Sequence, residues 1–131
     1  MRVVLILSYL LGIALPVLET YRRGFEHWMV NSMTMAGDYL MGAVLLVAAL
    51  AFSFNKKCAG VLMVIAWSYV LGVMNAAFWG HLEGAIRGIT QCDNDPLEFK
   101  AIAVKGVIWG LALMSVYLSA RWLYLNKPQI Q

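Results

Sequence analysis

The stretch MTMAGDYLMGAVLLVAALAFSF, residues 33–54, contains a single charged side chain, that of Asp38. A run of about 20 apolar residues is long enough to cross a bilayer as a helix. The next stretch, AGVLMVIAWSYVLGVMNAAFWG at residues 59–80, has no charged side chain and follows after the short link NKKC. Because the link is so short, the two stretches are predicted to form an antiparallel helical hairpin.

Two further apolar runs flank this hairpin, at residues 3–20 and 101–125. Neither shows the alternation of a β-barrel strand, and a helix satisfies its own backbone hydrogen bonds in lipid. The sequence therefore predicts an all-α integral membrane protein, a bundle of four transmembrane helices. The expected spans are approximately 3–20, 33–54, 59–80 and 101–125, and helical spacing beyond residue 80 predicts that the third helix can continue past the bilayer to residue 89.

The start of the chain also resembles a secretory signal, because Arg2 precedes an apolar run. The run is long for a signal sequence, and no clear small-x-small cleavage site follows Pro16. We therefore expect a retained first helix. Residues 1–131 are then a single transmembrane domain.

The composition excludes a soluble globular domain. Of the 131 residues, 62% are hydrophobic and 13% are charged, whereas soluble domains have about 25% charged residues. The mean hydropathy is +0.72, which also excludes an intrinsically disordered chain. The net charge of +3 is explained by basic residues at helix ends near lipid headgroups, so we expect a lipid bilayer and no nucleic acid as a partner.

Charge counts give a weak orientation signal. Four crossings place both termini on one side with Lys56 and Lys57, and the ten basic residues divide evenly between the two sides. All seven acidic residues fall on the side opposite the termini. Using the positive-inside rule with the acids as a tie-breaker, we expect both termini in the cytoplasm. Insertion in both orientations, as an antiparallel dimer, is the alternative.

Polar side chains from all four predicted helices approach the acidic side of the membrane. They form the candidate polar site: Glu19, Asp38, Asn75, His81 and Lys105. One interpretation is an ion pair between Asp38 and Lys105, or snorkelling of each side chain to water. The other is a polar vestibule that binds an ion or a small solute.

Metal and haem sites have weaker support. Glu19, Asp38, His81 and Glu83 offer oxygen and nitrogen ligands but are scattered over three helices. His27 and His81 lie on the same side, yet neither lies within a predicted membrane span, as a buried haem would require. We predict no metal and no cofactor.

The strongest pattern in the sequence concerns helix packing. Small residues recur every four positions on helix three and again on helix four, at Gly72, Ala76 and Gly80 and at Gly106 and Gly110. This spacing lets helix backbones approach closely in lipid. The first functional hypothesis is therefore a noncatalytic subunit or scaffold, as a homo-oligomer or within a larger membrane complex. The alternative is a small oligomeric channel or transporter that uses the candidate polar site.

Catalytic motifs are absent from the sequence. It contains no GxxxxGK[ST], HExxH, GxSxG or CxxC pattern, so we do not predict an enzyme. Cys58 and Cys92 are predicted on opposite sides of the bilayer, which excludes a disulfide between them within one subunit. Cys92 is expected to be an unpaired loop thiol, with a disulfide between subunits as the alternative.

Overall fold

The computed structural model describes residues 1–26, 29, 32–88 and 98–126, and this part of the chain contains four long helices. We number them α1 (Arg2–Arg23), α2 (Ser32–Ser53), α3 (Ala59–Arg87) and α4 (Glu98–Leu125). Each is long and apolar enough to cross a membrane. The predicted all-helical class and its four apolar helices are confirmed. His27, Cys92 and the polar loop around Cys92 lie outside the described residues.

Helices α1, α3 and α4 are somewhat longer than the corresponding apolar runs in the sequence. Helix α3 continues beyond residue 80 to Arg87, where Gly88 adopts a left-handed conformation with φ of 66°. This conformation is available to glycine at little cost and is a common way to end a helix. The final turn of α3 carries an exposed ion pair between Glu83 and Arg87, which contributes little to stability because water screens it.

Helices α1 and α2 pack together at a pair of glycines. A Cβ atom on Gly42 would lie 2.6 Å from the carbonyl oxygen of Gly12 and 2.9 Å from Cδ of Pro16. Pro16 has no N–H group, so it cannot donate the helical hydrogen bond to that carbonyl. A hydrogen on the Cα of Gly42 points at the same oxygen instead, as in the weak Cα–H···O contacts between helices. Only glycine fits at position 42.

Helices α3 and α4 form the second closely packed pair, and they run antiparallel. Near one end of the pair, a Cβ atom on Gly60 would lie 2.8 Å from the ring of Trp122. Near the other end, the ring of Phe78 lies against Gly106 and stacks on Trp109. Glycine here makes room for large aromatic rings, rather than for direct contact between two backbones.

A buried hydrogen-bond chain connects α1 to α3. The Trp67 indole N–H donates to Ser8 Oγ at 3.0 Å, and the Ser8 hydroxyl donates to the Val4 carbonyl at 2.8 Å. All three residues are fully buried. The surrounding core is formed by apolar residues of α2 and α3 such as Leu45 and Met63. This chain of hydrogen bonds therefore provides an acceptor for the indole N–H of Trp67, the largest of the fully buried side chains.

The outer surface of the bundle is apolar. On α1 a stripe of large side chains faces outward, each with between 57% and 60% of its surface exposed: Val3, Ile6, Leu10, Ile13 and Val17. The described parts of α2, α3 and α4 expose similar side chains, including Val47, Ile65 and Val107. Soluble monomers rarely expose contiguous apolar surface on this scale.

The contact between Gly12 and Gly42 predicts a position-specific effect of a single methyl group. We expect Gly42→Ala to lower the stability of the protein in detergent by about 1–3 kcal/mol, the usual cost of overpacking. The added Cβ would press on a backbone oxygen that cannot move aside. Thermal unfolding measures the change.

Gly37→Ala is the matched control on the same helix, since a Cβ there would meet nothing within 4 Å. It should leave the unfolding temperature nearly unchanged. Equal unfolding temperatures for the two variants would contradict the proposed packing.

Candidate functional site

A cavity of about 510 Å³ lies between the four helices at the end of the bundle where α1 and α3 finish and α2 and α4 begin. We call this cavity the vestibule. Its lining comes from every helix: Leu15, Leu18 and Glu19 of α1, Met33, Gly37 and Asp38 of α2, Val73, Met74 and Ala77 of α3, and Lys100, Ala101, Val104, Lys105 and Ile108 of α4.

The vestibule contains four charged side chains, two acidic and two basic. Asp38 and Lys105 lie six and seven residues from the starts of their helices, a depth of about 9 to 10 Å at 1.5 Å per residue. Both are half-buried, whereas Lys100 is exposed nearer the end of the bundle. Glu19, Asp38 and Lys105 all have interaction partners within the protein. Charges at this depth are stabilised by such partners.

The inner part of the vestibule is apolar. On α1, α3 and α4 the lining residues closest to the middle of the bundle are Leu15, Val73, Met74 and Ile108, whereas on α2 the lining ends at Asp38. The charged side chains lie closer to the end of the bundle. The cavity therefore has a charged outer level and an apolar floor.

A hydrogen bond between α1 and α2 holds the carboxylate-bearing turns together. The hydroxyls of Thr20 and Tyr39 lie 2.7 Å apart, and the Thr20 hydroxyl also contacts the Pro16 carbonyl at 2.7 Å. Thr20 follows Glu19 in the chain and Tyr39 follows Asp38. This bond therefore fixes the two acidic residues of the vestibule relative to each other.

The structure brings together three of the five residues of the candidate polar site: Glu19, Asp38 and Lys105. Asn75 lies on an exposed face of α3, where its Oδ1 accepts a hydrogen bond from Trp109 Nε1 at 3.2 Å. His81 is half-buried and has an interaction partner but does not line the vestibule. Asn75 and His81 were predicted at the same depth as the other three residues, but neither lines the vestibule.

Lys100 is the charged vestibule residue that the sequence did not single out. It lies next to the polar loop in the sequence, so its type and position indicate an ordinary interfacial lysine. The signal that identifies it is the start of α4 at Glu98, earlier than the apolar run predicts. This extra turn places Lys100 on the helix and at the cavity.

Among the described residues, no three His, Cys, Asp or Glu side chains are grouped so that they could hold a metal ion. Glu19, Asp38, His81 and Glu83 are therefore not brought together as one group of possible ligands. Cys58 is an exposed free thiol immediately before α3.

The small residues of α3 lie on a different surface from the vestibule. Gly72 and Ala76 are exposed, and a Cβ atom on Gly72, Gly80 or Gly110 would meet nothing within 4 Å. Gly106 differs, because its Cβ would lie 3.0 Å from the ring of Phe78. Of the glycines predicted on α3 and α4 for close packing, only Gly106 is packed against a neighbouring helix. The close contacts within the bundle are at Gly12, Gly42 and Gly60 instead.

A second cavity of about 440 Å³ lies in the groove between α2 and α3. Its lining is apolar apart from one tyrosine, and it consists of Leu40, Ala43, Val44, Val47, Ala48, Leu62, Ile65, Ala66 and Tyr69. Several of these side chains belong to the apolar outer surface. This groove has no charged group with which to select a polar ligand, so the vestibule is the candidate functional site.

Comparison with protein-family models, with curated proteins and with solved structures finds no match to this chain. Its function is therefore argued from the vestibule and from the surface of the bundle.

The balance of charges in the vestibule predicts that the effects of two substitutions on stability are not additive. Lys105→Met leaves two acidic side chains with one base, and an uncompensated charge away from bulk water is costly. We expect this variant to unfold at a lower temperature in detergent, and Asp38→Asn in the same chain to restore part of the loss. Lys100→Met is the control, with a smaller effect because Lys100 is exposed. Strictly additive effects of Lys105→Met and Asp38→Asn would contradict a shared site.

Proposed function

We propose that this is an integral membrane protein that binds a small solute or ion in the vestibule and transports it. The observation that supports the proposal is the convergence of Glu19, Asp38, Lys100 and Lys105, from three helices, on one cavity of about 510 Å³. That volume lies within the usual range of small-molecule sites. Ionisable residues within membrane spans usually mark solute or ion pathways.

The apolar outer surface supports placement in a bilayer. The outward stripe of α1 would be covered by lipid tails, and the four helices satisfy their backbone hydrogen bonds internally. Lys56 and Lys57, between α2 and α3, would lie at the headgroups opposite the vestibule. In this arrangement the protein crosses the membrane four times.

The proposal also includes an orientation. Both termini are placed in the cytoplasm, and the vestibule opens toward the other side of the membrane. The acidic residues Glu19, Glu26, Asp38 and Glu83, which the structure describes, are at the vestibule end of the bundle, which agrees weakly with the positive-inside rule. The charged outer level of the vestibule would then meet solutes from outside the cytoplasm.

Transport is tested by flux into proteoliposomes, with a panel that includes protons, potassium, chloride, amino acids and organic cations. We expect flux of at least one solute, and we expect Asp38→Asn to reduce it about tenfold or more, the loss that follows when a charge-assisted contact worth about 1.4 kcal/mol is removed. Gel filtration in detergent checks that the variant is folded.

Glu83→Gln is the matched control for that experiment. Glu83 is an exposed acidic residue at the same end of the bundle and pairs with Arg87 at the surface. Its loss should leave flux unchanged. Flux that is absent over the whole panel, or that falls equally in both variants, would count against the vestibule as a transport site.

A second candidate function is that of a scaffold or a noncatalytic subunit, which assembles with copies of itself or with larger partners. The observation that favours it is the outward face of α3, where Gly72 and Ala76 are exposed and no described side chain covers Gly72. Small residues on a lipid-facing surface allow another helix to approach closely. This role is compatible with a vestibule in each subunit.

Assembly is tested by native mass spectrometry of the protein in mild detergent. We expect Gly72→Leu to reduce the oligomeric fraction several-fold, because the leucine side chain would hold a partner helix away. Ala76→Ser keeps a small side chain on the same face and should preserve the oligomer. An unchanged subunit number in Gly72→Leu would contradict assembly through this face.

A further inference from the structure

We propose that the vestibule takes a zwitterionic amphiphile, which enters sideways from the bilayer between α1 and α4. The inference rests on the proposed function, since it names the substrate class of the same site. Three features of the cavity carry it: the exposed lining side chains of α1 and α4, the division between its charged level and its apolar floor, and its balance of charges.

The proposed lateral opening lies between α1 and α4, the neighbouring helices that pack least extensively. Helices α1 and α2 pack closely, as do α3 and α4, whereas α1 and α4 meet over a small area only. Leu18 of α1 and Val104 of α4 both line the vestibule. The same two side chains are 62% and 57% exposed. The cavity wall is therefore continuous with the surface that faces lipid.

The polarity of the lining fits an amphiphile. A charged head group would lie beside Asp38 and Lys105, and apolar atoms would lie on the floor formed by Val73 and Ile108. An ion or a fully polar solute would gain no binding free energy from this apolar floor. The floor stabilises a ligand only when apolar surface of the ligand is buried against it. Chains too long for the cavity extend between Leu18 and Val104 into the lipid.

The charges of the lining favour a ligand with no net charge. Two acidic and two basic side chains line the cavity, so their formal charges cancel. A ligand of single sign would add an uncompensated charge to a partly dehydrated site, which is costly. A ligand with an anionic and a cationic group keeps the balance, and each of its charges finds an opposite one. Phospholipids with an ethanolamine head group have this chemistry.

The test is native mass spectrometry of the protein released from nanodiscs that contain equal amounts of phosphatidylethanolamine and phosphatidylglycerol. We expect the zwitterionic lipid to be retained at least about fivefold over the anionic one. Val104→Trp should remove this preference, because the indole fills the opening. Val107→Trp is the matched control. Val107 is 64% exposed on the same helix and does not line the vestibule, so the preference should persist.

Two further arms identify the source of the ligand. Retention of the single-chain lysophosphatidylethanolamine alone, sensitive to Val104→Trp, supports the same chemistry with a one-chain amphiphile as the occupant. Displacement of lipid by water-soluble glycerophosphoethanolamine at comparable concentration would overturn the inference, since neither a tail nor a lateral path would then matter.

The inference and the proposed function fail in different ways. Equal retention of the two phospholipids, together with solute flux that depends on Asp38, would overturn the substrate class and leave transport standing. Loss of both the lipid preference and the flux would overturn the vestibule as a functional site. A preference that survives Val104→Trp would overturn the lateral path.

Discussion

The constraint on which this structure depends is the absence of water from the interior of the proposed bilayer. Without water, every backbone amide must bond within its own helix, and a buried polar side chain that lacks a partner in the protein is costly. Trp67 and Ser8 meet this requirement in the middle of the bundle, and Thr20 and Tyr39 meet it closer to the vestibule. The charged side chains of the vestibule are confined to one end for the same reason.

The vestibule follows from unequal packing around the bundle. Gly12 and Gly42 let α1 approach α2 until backbone meets backbone, while Phe78 and Trp109 fill the space between α3 and α4. The contact between α1 and α4 is much smaller. The two tight pairs therefore leave a space between them, and the charged residues at the helix ends line it. Each helix therefore packs closely against one neighbour and borders the vestibule on another side.

The number and type of helices follow from hydropathy alone, because the apolar runs are long and the links are short. For Glu19, Asp38 and Lys105 the sequence predicted a common depth but not that they meet in one cavity. Position along a helix gives the depth of a side chain but not its direction. Asn75 has the same depth and faces elsewhere. The packing role of Gly42 was missed because its partners, Gly12 and Pro16, lie on another helix, and no spacing within one helix reveals them.

The measurement that tests this account most directly is a spin-label scan along α3, with collision rates to oxygen and to a water-soluble nickel complex. Labels at Ile65, Gly72 and Ala76 should collide with oxygen, because the proposed bilayer would cover that exposed face. Labels at Val73 and Ala77 should collide with the nickel complex, because they line the vestibule. Uniform access of the nickel complex to both faces would contradict a membrane bundle, and uniform protection from it would contradict a hydrated vestibule.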